Sequence, residues 1–321
     1  MASTTMTSPY AIPTTIDDTV LTTSLADYQK KLVDNVYNAA TVLKIANQYK
    51  KTIDGGTSIV ETLIKEKQDD GGFYLGADVL NNTQGNDTTI CEFRWQNAYE
   101  PIVVTRDEER ANSGVAHKLL DLVGTKTMLS ERAIADRLNQ ALSKPVSEAG
   151  NLVDLELLVN TGTLGTIAGG TYTFWQATVT TSGAFATQGL TDMTTGFYAV
   201  SSDASTDNPT HIITTKTIFQ KFEQTRLPLE RLSNTLTANA GFTNLTFKGI
   251  PVVYGNYIQT GLLFELNMNY NYYGVDSATD LITTPFITPT NQTVKVAYIL
   301  WRGTGWTTNN RRRNLKLTSI T

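Results

Sequence analysis

The stretch ICEFRWQNAYEPIVVTRDEERANSGVAHKLLDLVGTKTMLSERAIADRLNQAL, residues 90–142, decides how this chain is read. Cys91, Phe93, Trp95 and Tyr99 recur at even spacing with Glu92, Arg94 and Gln96 between them, the period-two pattern of a strand with one face in water. Ile102, Val103 and Val104 carry the run past Pro101. Thr105 then stands at an N-cap position with Glu108 three residues on, forming a capping box, and Asp107 and Glu109 lie near the positive end of the helix dipole. Val115, Leu119, Leu122 and Val123 continue one apolar stripe, and Met128, Ile134, Leu138 and Leu142 form a second after Gly124, up to Pro145. Unbroken, this helix would run about 55 Å at about 1.5 Å per residue. Gly124 costs about 1 kcal/mol against alanine and marks where it would kink or divide.

The 321 residues are 40% hydrophobic and 17% charged, which is enough to bury a substantial core. Abundant Thr, Asn and Gly beside 14 Tyr and 11 Phe favour many strands and turns over a helical bundle. A formal net charge of -4 offers nucleic acid no global electrostatic footprint. The single cysteine, Cys91, excludes an internal disulfide and a cysteine zinc site, and reads as a small buried hydrophobe. The first twenty residues contain neither a basic n-region nor an apolar h-region, and no run approaches the roughly 18 apolar residues of a membrane span. Folding in a reducing cytoplasm is expected, so the sequons at Asn81, Asn86, Asn244 and Asn291 read as chance.

Residues 1–23 are polar and threonine-rich, with Pro9 and Pro13, and cannot bury enough apolar surface to order alone. A helical pattern over 25–49, through Leu32, Val36, Leu43 and Ile45, ends in a charged, glycine-marked turn at 50–56. Residues 58–67 read as a strand, and with the Cys91 strand they make a long hairpin between Thr57 and Thr105. A two-stranded ribbon is marginal in water, yet this one carries Phe73, Tyr74, Phe93, Trp95 and Tyr99. Those rings are therefore expected to be buried on a neighbouring subunit. Further on, the sequence predicts a short helix over 152–159, a glycine-rich turn to Gly170 and an irregular stretch over 171–210 with Trp175 as its anchor. A strand at 211–214, a helix at 217–224, a strand pair over 245–253 broken at Lys248-Gly249 and a strand at 262–269 follow. A last strand at 294–301 is expected to join 315–320 through a polar hairpin.

Catalytic readings find little support. His117 and His211 have no nucleophile or metal ligand at useful spacing, and the glycine-rich 162–170 lacks the Lys-Ser or Lys-Thr pair of a phosphate loop. No enzyme, cofactor or metal is expected. Arg311-Arg312-Arg313 is the sharpest charge cluster. Three charges add little nonspecific affinity for nucleic acid, so pairing with carboxylates across a subunit boundary is the favoured role.

Taken in order, several motifs resemble the tailed-bacteriophage major capsid proteins of the HK97-like fold, over nearly the whole chain. They are Thr14-Thr15 and the helix up to Tyr49, Ile53-Asp54-Gly55-Gly56 entering the hairpin and Trp95-Gln96-Asn97-Ala98-Tyr99 leaving it. Gly169-Gly170-Thr171-Tyr172 before Trp175, Phe247-Lys248-Gly249-Ile250-Pro251-Val252-Val253, Asn291-Gln292 and Asn310-Arg311-Arg312 complete the series. The resemblance implies an α+β fold with an N-arm (1–56), an extended E-loop (57–104), a peripheral domain with a long spine helix (105–149), an axial domain (150–285) and C-terminal strands returning to the peripheral domain (286–321). It implies self-assembly into hexamers and pentamers of an icosahedral shell around double-stranded DNA, in a virion assembled in the host cytoplasm. A separate scaffolding protein, a portal, room for a decoration protein, weak nonspecific contact with packaged DNA and no membrane complete the expected partners. Phe73, Tyr74, Phe93, Trp95, Tyr99, Arg311, Arg312 and Arg313 are the expected intersubunit contacts, and Gly55-Gly56 reads either as a hinge or as a plain turn. Lys65 and Lys67 lie on the hairpin without an identifiable Asn or Glu partner, so no covalent cross-link is expected. The rival class is a β-rich tail or adhesin-type binding module, which would be a discrete monomer or trimer.

Overall fold

The computed structural model describes residues 40–67, 71–76, 78–80, 85, 87–112, 122–150, 152–201, 207–230, 245–290 and 292–321. In chain order its elements are α1 (Thr41–Gln48), β1 (Lys50–Ile53), β2 (Ser58–Ile64), β3 (Thr88–Arg94), β4 (Gln96–Thr105), α2 (Arg106–Asn112), α3 (Leu122–Ser143) and a four-residue α4 (Leu155–Leu158). Next come β5 (Thr178–Thr181), α5 (Leu190–Val200), β6 (His211–Thr214), α6 (Lys216–Glu230), β7 (Thr246–Phe247), β8 (Ile250–Tyr254), β9 (Leu263–Leu266), β10 (Asn271–Asp276), β11 (Ile282–Thr283), β12 (Val294–Thr308) and β13 (Leu315–Thr318). The chain divides into a smaller unit, drawn in its described part from 99–133 and 283–299, and a larger one from 38–98, 134–282 and 300–321.

In the smaller unit the expected capping box is formed. The Glu108 amide donates to Thr105 Oγ1 at 3.3 Å, and Glu108 Oε2 accepts from the Thr105 amide at 2.9 Å. Lys126 Nζ then reaches both Glu108 oxygens at 2.6 and 2.7 Å and the Val103 carbonyl at 2.9 Å, tying α3 to the strand that leads into α2. Burial alone would raise the Glu108 carboxyl, but hydrogen bonds from Lys126 and Thr105 outweigh it and hold the pKa below the ordinary value. Because the folded pKa is depressed, this contribution is present above the ordinary carboxylate range and is lost as pH falls through the folded value. Glu108→Gln is expected to cost about 1–3 kcal/mol at neutral pH and to flatten the acid limb of a pH–melting curve. An unchanged limb would mean that the contact does not stabilise the fold. The long helix is seen as α2 and α3; residues 113–121, with His117 and part of the first stripe, lie outside the described residues.

Besides the two-stranded β2–β3 ribbon, the larger unit holds a six-stranded sheet and strands of a five-stranded one. The six-stranded sheet has the strand order β5-β13-β9-β6-β8-β7, with β13 parallel to β5, β6 parallel to β8 and the other neighbours antiparallel. β9 is buried at every position and β6 at three of four. Such continuous burial is that of central strands covered on both faces. Phe185, Met193, Phe197, Ile218 and Phe222 pack on this sheet with Ile212, Val252, Leu263, Leu315 and Leu317. Gly196 lets α5 approach closely, since a Cβ there would stand 2.1 Å from Leu315.

In the five-stranded sheet β1 runs parallel to β10, and β10 runs antiparallel to β12 with a register shift at Gly274/Val275. Tyr273 and Trp301 stack at 6.0 Å, and Trp306 Nε1 donates to the Leu142 carbonyl at 3.2 Å. The described part of the first helical pattern, α1, is fixed by the Leu43 amide donating to Asn139 Oδ1 at 3.1 Å. Two expectations are corrected here. β12 continues to Thr308, and β13 joins the six-stranded sheet next to β5 and β9, so the two do not form a hairpin. The Cys91 strand also stops at Arg94: β3 pairs with β2, whereas β4, resuming at Gln96, pairs with β12.

Candidate assembly surface

The hairpin has a root and a tip. In the root, β2 and β3 pair antiparallel over seven residues from Ser58↔Arg94 to Ile64↔Thr88. Their period-two pattern puts Ile59, Leu63, Cys91 and Phe93 on a buried face, with Phe93 only 2% exposed. The turn at 164–167 fastens this root: the Cys91 thiol lies 3.6 Å from the Leu164 carbonyl, and Thr166 Oγ1 accepts from the Glu92 amide at 3.2 Å. Gly165 has φ +62°, and a Cβ there would meet Cys91 Sγ at 2.5 Å, so the turn needs glycine both for its backbone and for its closeness. Burial pushes the Cys91 thiol up to about 11, which makes it an inert packing group.

Beyond the root the apolar side chains have nothing described to cover them. Phe73, Tyr74, Leu75, Val79 and Leu80 are all exposed, Phe73 completely. The five rings singled out by sequence therefore separate. Phe73 and Tyr74 are exposed on the tip among the described residues, whereas Phe93 is buried within the chain. Trp95 is half-buried under the Arg302 guanidinium, 5.1 Å from the ring centre. Tyr99 is 59% exposed and meets Tyr298 edge-on at 6.1 Å. Leu75, Val79 and Leu80 were missed, although their place in a polar, glycine-marked stretch next to Phe73-Tyr74 was a usable signal.

At the hairpin entrance Gly55 and Gly56 have φ +60° and +85°, which explains why both are glycine. The Gly55 amide donates to Asp276 Oδ1 at 3.2 Å, and Arg302 Nη2 donates to the Gly56 carbonyl at 3.0 Å while its Nη1 lies 3.5 Å from Asp276 Oδ2. Arg302 thus braces Trp95, Asp276 and Gly56 together, a role that no local sequence pattern reveals.

The arginine triplet also divides. Arg311 is fully buried and donates to the carbonyls of Leu158 (2.8 Å), Gly162 (2.6 Å), Trp175 (3.2 Å) and Leu157 (2.6 Å). Burial lowers its pKa to about 10. It has no surface to offer a partner, and this removes it, like Phe93, from the expected contacts. Arg313 lies 3.5 Å from Asp207 and donates to the Val200 carbonyl at 3.1 Å, and Arg312 is exposed.

His211 packs edge-on against Tyr49 at 5.5 Å, and burial lowers its pKa. Among the described residues no group of three or more His, Cys, Asp or Glu could hold a metal ion, and no helix is long and apolar enough to cross a membrane.

No protein-family model and no curated protein matches the sequence. Solved structures do. The cyanophage A-1(L) capsid asymmetric unit aligns with a TM-score of 0.72 at 13% identity, covering 92% of this chain and 97% of that one. The capsid of Myoviridae phage XM1 aligns at 0.60, with 11% identity, 92% and 97%. The chain has the HK97-like capsid fold. The SrpI encapsulin of Synechococcus elongatus PCC 7942 also aligns, at 0.56 with 11% identity over 94% and 95% of the two chains. The alignments thus span nearly this whole chain and nearly the whole of each of these.

Proposed function

We propose that this chain is the major capsid protein of a tailed bacteriophage, assembling through hexamers and pentamers into an icosahedral shell around packaged double-stranded DNA. The capsid fold over more than nine-tenths of the chain carries the reading. The hairpin tip supports it, because its five exposed apolar side chains, which nothing among the described residues covers, favour burial against a neighbour. A lattice subunit has such a neighbour on every side, and many modest contacts let misplaced subunits dissociate before closure. In this reading the N-arm spans 1–56, the E-loop 57–104, the peripheral domain 105–149 with β12 of the C-terminal strands, and the axial domain 150–285, whose six-stranded sheet also takes β13. Phe73, Tyr74, Trp95 and Tyr99 make the intersubunit contacts. Gly55-Gly56 is the pivot of the hairpin, and the Asp276–Arg302 brace is what must release for it to turn. A separate scaffolding protein and a portal would serve assembly in the host cytoplasm.

The tail or adhesin reading explains neither the fold nor the uncovered tip. Negative-stain microscopy of the purified protein tests the proposal. Shells, five- or six-membered rings or sheets are expected, and a discrete monomer or trimer at high concentration would refute it. The double variant Phe73→Ser/Tyr74→Ser is expected to abolish closed shells while leaving the subunit's melting temperature within a few degrees of the parent, since neither ring touches the subunit's own core.

A further inference from the structure

Beside β5, the turn formed by Arg311–Arg313 borders a cavity of about 180 Å³ lined by Gln176, Thr178, Ala199, Asn310, Arg312 and Arg313. It shares Asn310 and Arg312 with a larger cavity of about 620 Å³ that is walled by Leu63, Ile64, Phe174, Trp175 and Tyr270 and edged by Lys65 and Lys67. The smaller space is almost wholly polar and cationic; the larger is aromatic and aliphatic with a basic rim. Arg311 anchors the turn between them through its four carbonyl contacts, so the two guanidiniums that follow it are presented from a fixed backbone.

The charge at the smaller cavity is incompletely balanced. Asp207 stands 3.5 Å from Arg313 Nε, but it also accepts from Asn267 at 2.7 Å and from the Tyr270 hydroxyl at 2.8 Å. Arg312 has no hydrogen bond or ion pair among the described residues. Glu66, on the rim of the larger cavity beside Lys65 and Lys67, is the other carboxylate facing this region.

We propose that the two cavities together bind a nucleotide, with the phosphate in the smaller and the base in the larger. A guanidinium fork matches phosphate oxygens in pairs, and a phosphate has enough oxygens to use Arg312, Arg313, Thr178 and Asn310 at once, where a carboxylate has two. Phe174 and Tyr270 offer π-faces of the kind on which bases stack without regard to sequence. The larger volume lies within the roughly 300–1,000 Å³ range of small-molecule sites. The site is concave and has one unpaired guanidinium with two lysines at its edge, which suits a single nucleotide and not a length of duplex backbone. Every residue involved belongs to one chain, so this inference stands apart from the capsid reading.

Isothermal titration of the purified protein with deoxyadenosine monophosphate, inorganic phosphate and deoxyadenosine tests it. The monophosphate is expected to bind more tightly than phosphate, and deoxyadenosine more weakly than either. Arg312→Ala, at an exposed position that leaves the core untouched, is expected to weaken the monophosphate and phosphate about tenfold or more. Phe174→Ala should weaken the monophosphate while leaving phosphate unchanged. The proposal is overturned if the monophosphate shows no saturable binding at about 10 mM, if Arg312→Ala binds like the parent, or if a short aspartate-rich peptide binds where the monophosphate does not. Equal affinity for phosphate and the monophosphate removes the base from the larger cavity and overturns the nucleotide assignment. Whether shells form is scored separately by microscopy of the same samples, so failure of one reading is not mistaken for failure of the other.

Discussion

Replacing Arg311 by methionine is expected to lower the stability of the folded chain by about 3–5 kcal/mol, read as a shift in the midpoint of urea unfolding. Methionine fills much of the space but donates nothing, so the carbonyls of Leu157, Leu158, Gly162 and Trp175 lose their shared donor inside the protein. These carbonyls belong to the end of α4, the glycine-rich turn and the segment before β5, three irregular pieces that no sheet ladder unites. No carboxylate neutralises Arg311 in these contacts; a cage of carbonyl dipoles does, and the guanidinium stays protonated because its lowered pKa of about 10 is still far above neutrality. Arg311→Lys is expected to recover little, because one ammonium cannot span acceptors that the planar fork reaches from several sides. Arg312→Met serves as the control and should change stability by no more than about 0.5 kcal/mol. Equal midpoints for Arg311→Met and its parent would show that the cage does not hold the fold.

Glu265→Gln is expected to stabilise the protein at mildly alkaline pH, with an effect that grows as pH rises. Glu265 lies in β9, opposite Ile212 of β6 and Leu315 of β13, is fully buried, and neither of its carboxylate oxygens has a hydrogen-bond partner among the described residues. Burial pushes its pKa up to about 8, against an opposing pull from Lys248. Because the folded pKa lies above the unfolded one, stability is fully present below about 4.5 and is lost as pH rises toward 8, after which no more is lost. At about 1.36 kcal/mol per pKa unit the total reaches about 5 kcal/mol, as an order of magnitude. The parent's melting temperature should therefore fall between pH 5 and pH 9, while that of Glu265→Gln should fall much less. Parallel pH–melting curves for the two proteins would rule out Glu265 as the source.

How much of this was legible in the sequence depends on how local each cause is. The capping box at Thr105 and Glu108 was readable because both partners lie within one turn of helix. The β2–β3 pairing and its buried face were readable because period two is a property of each strand alone. β10 was not: Asn271-Tyr272-Tyr273-Gly274-Val275-Asp276 shows no clean alternation, and it is a strand because β1 and β12 flank it. The break at Trp95 is likewise a tertiary choice, since the strand changes partner there from β2 to β12. The hairpin rings looked alike in sequence, yet Phe93 lies on the Cys91 side of the root while Phe73 lies past its end, a distinction set by where pairing stops.

The sequence by itself determined the paired strands of the hairpin root, the capped helix start and the glycine-marked turn at Gly55-Gly56, which follow from short-range sterics and hydrophobic period, while the succession of motifs carried the resemblance to capsid proteins. Tertiary structure alone decided that Arg311 faces inward while Arg312 faces outward, that Glu265 sits unpaired in a core, and that β12 and β13 part into different sheets. Those outcomes depend on which distant segments meet, and neighbouring residues of the same type look alike until a fold gives them different surroundings.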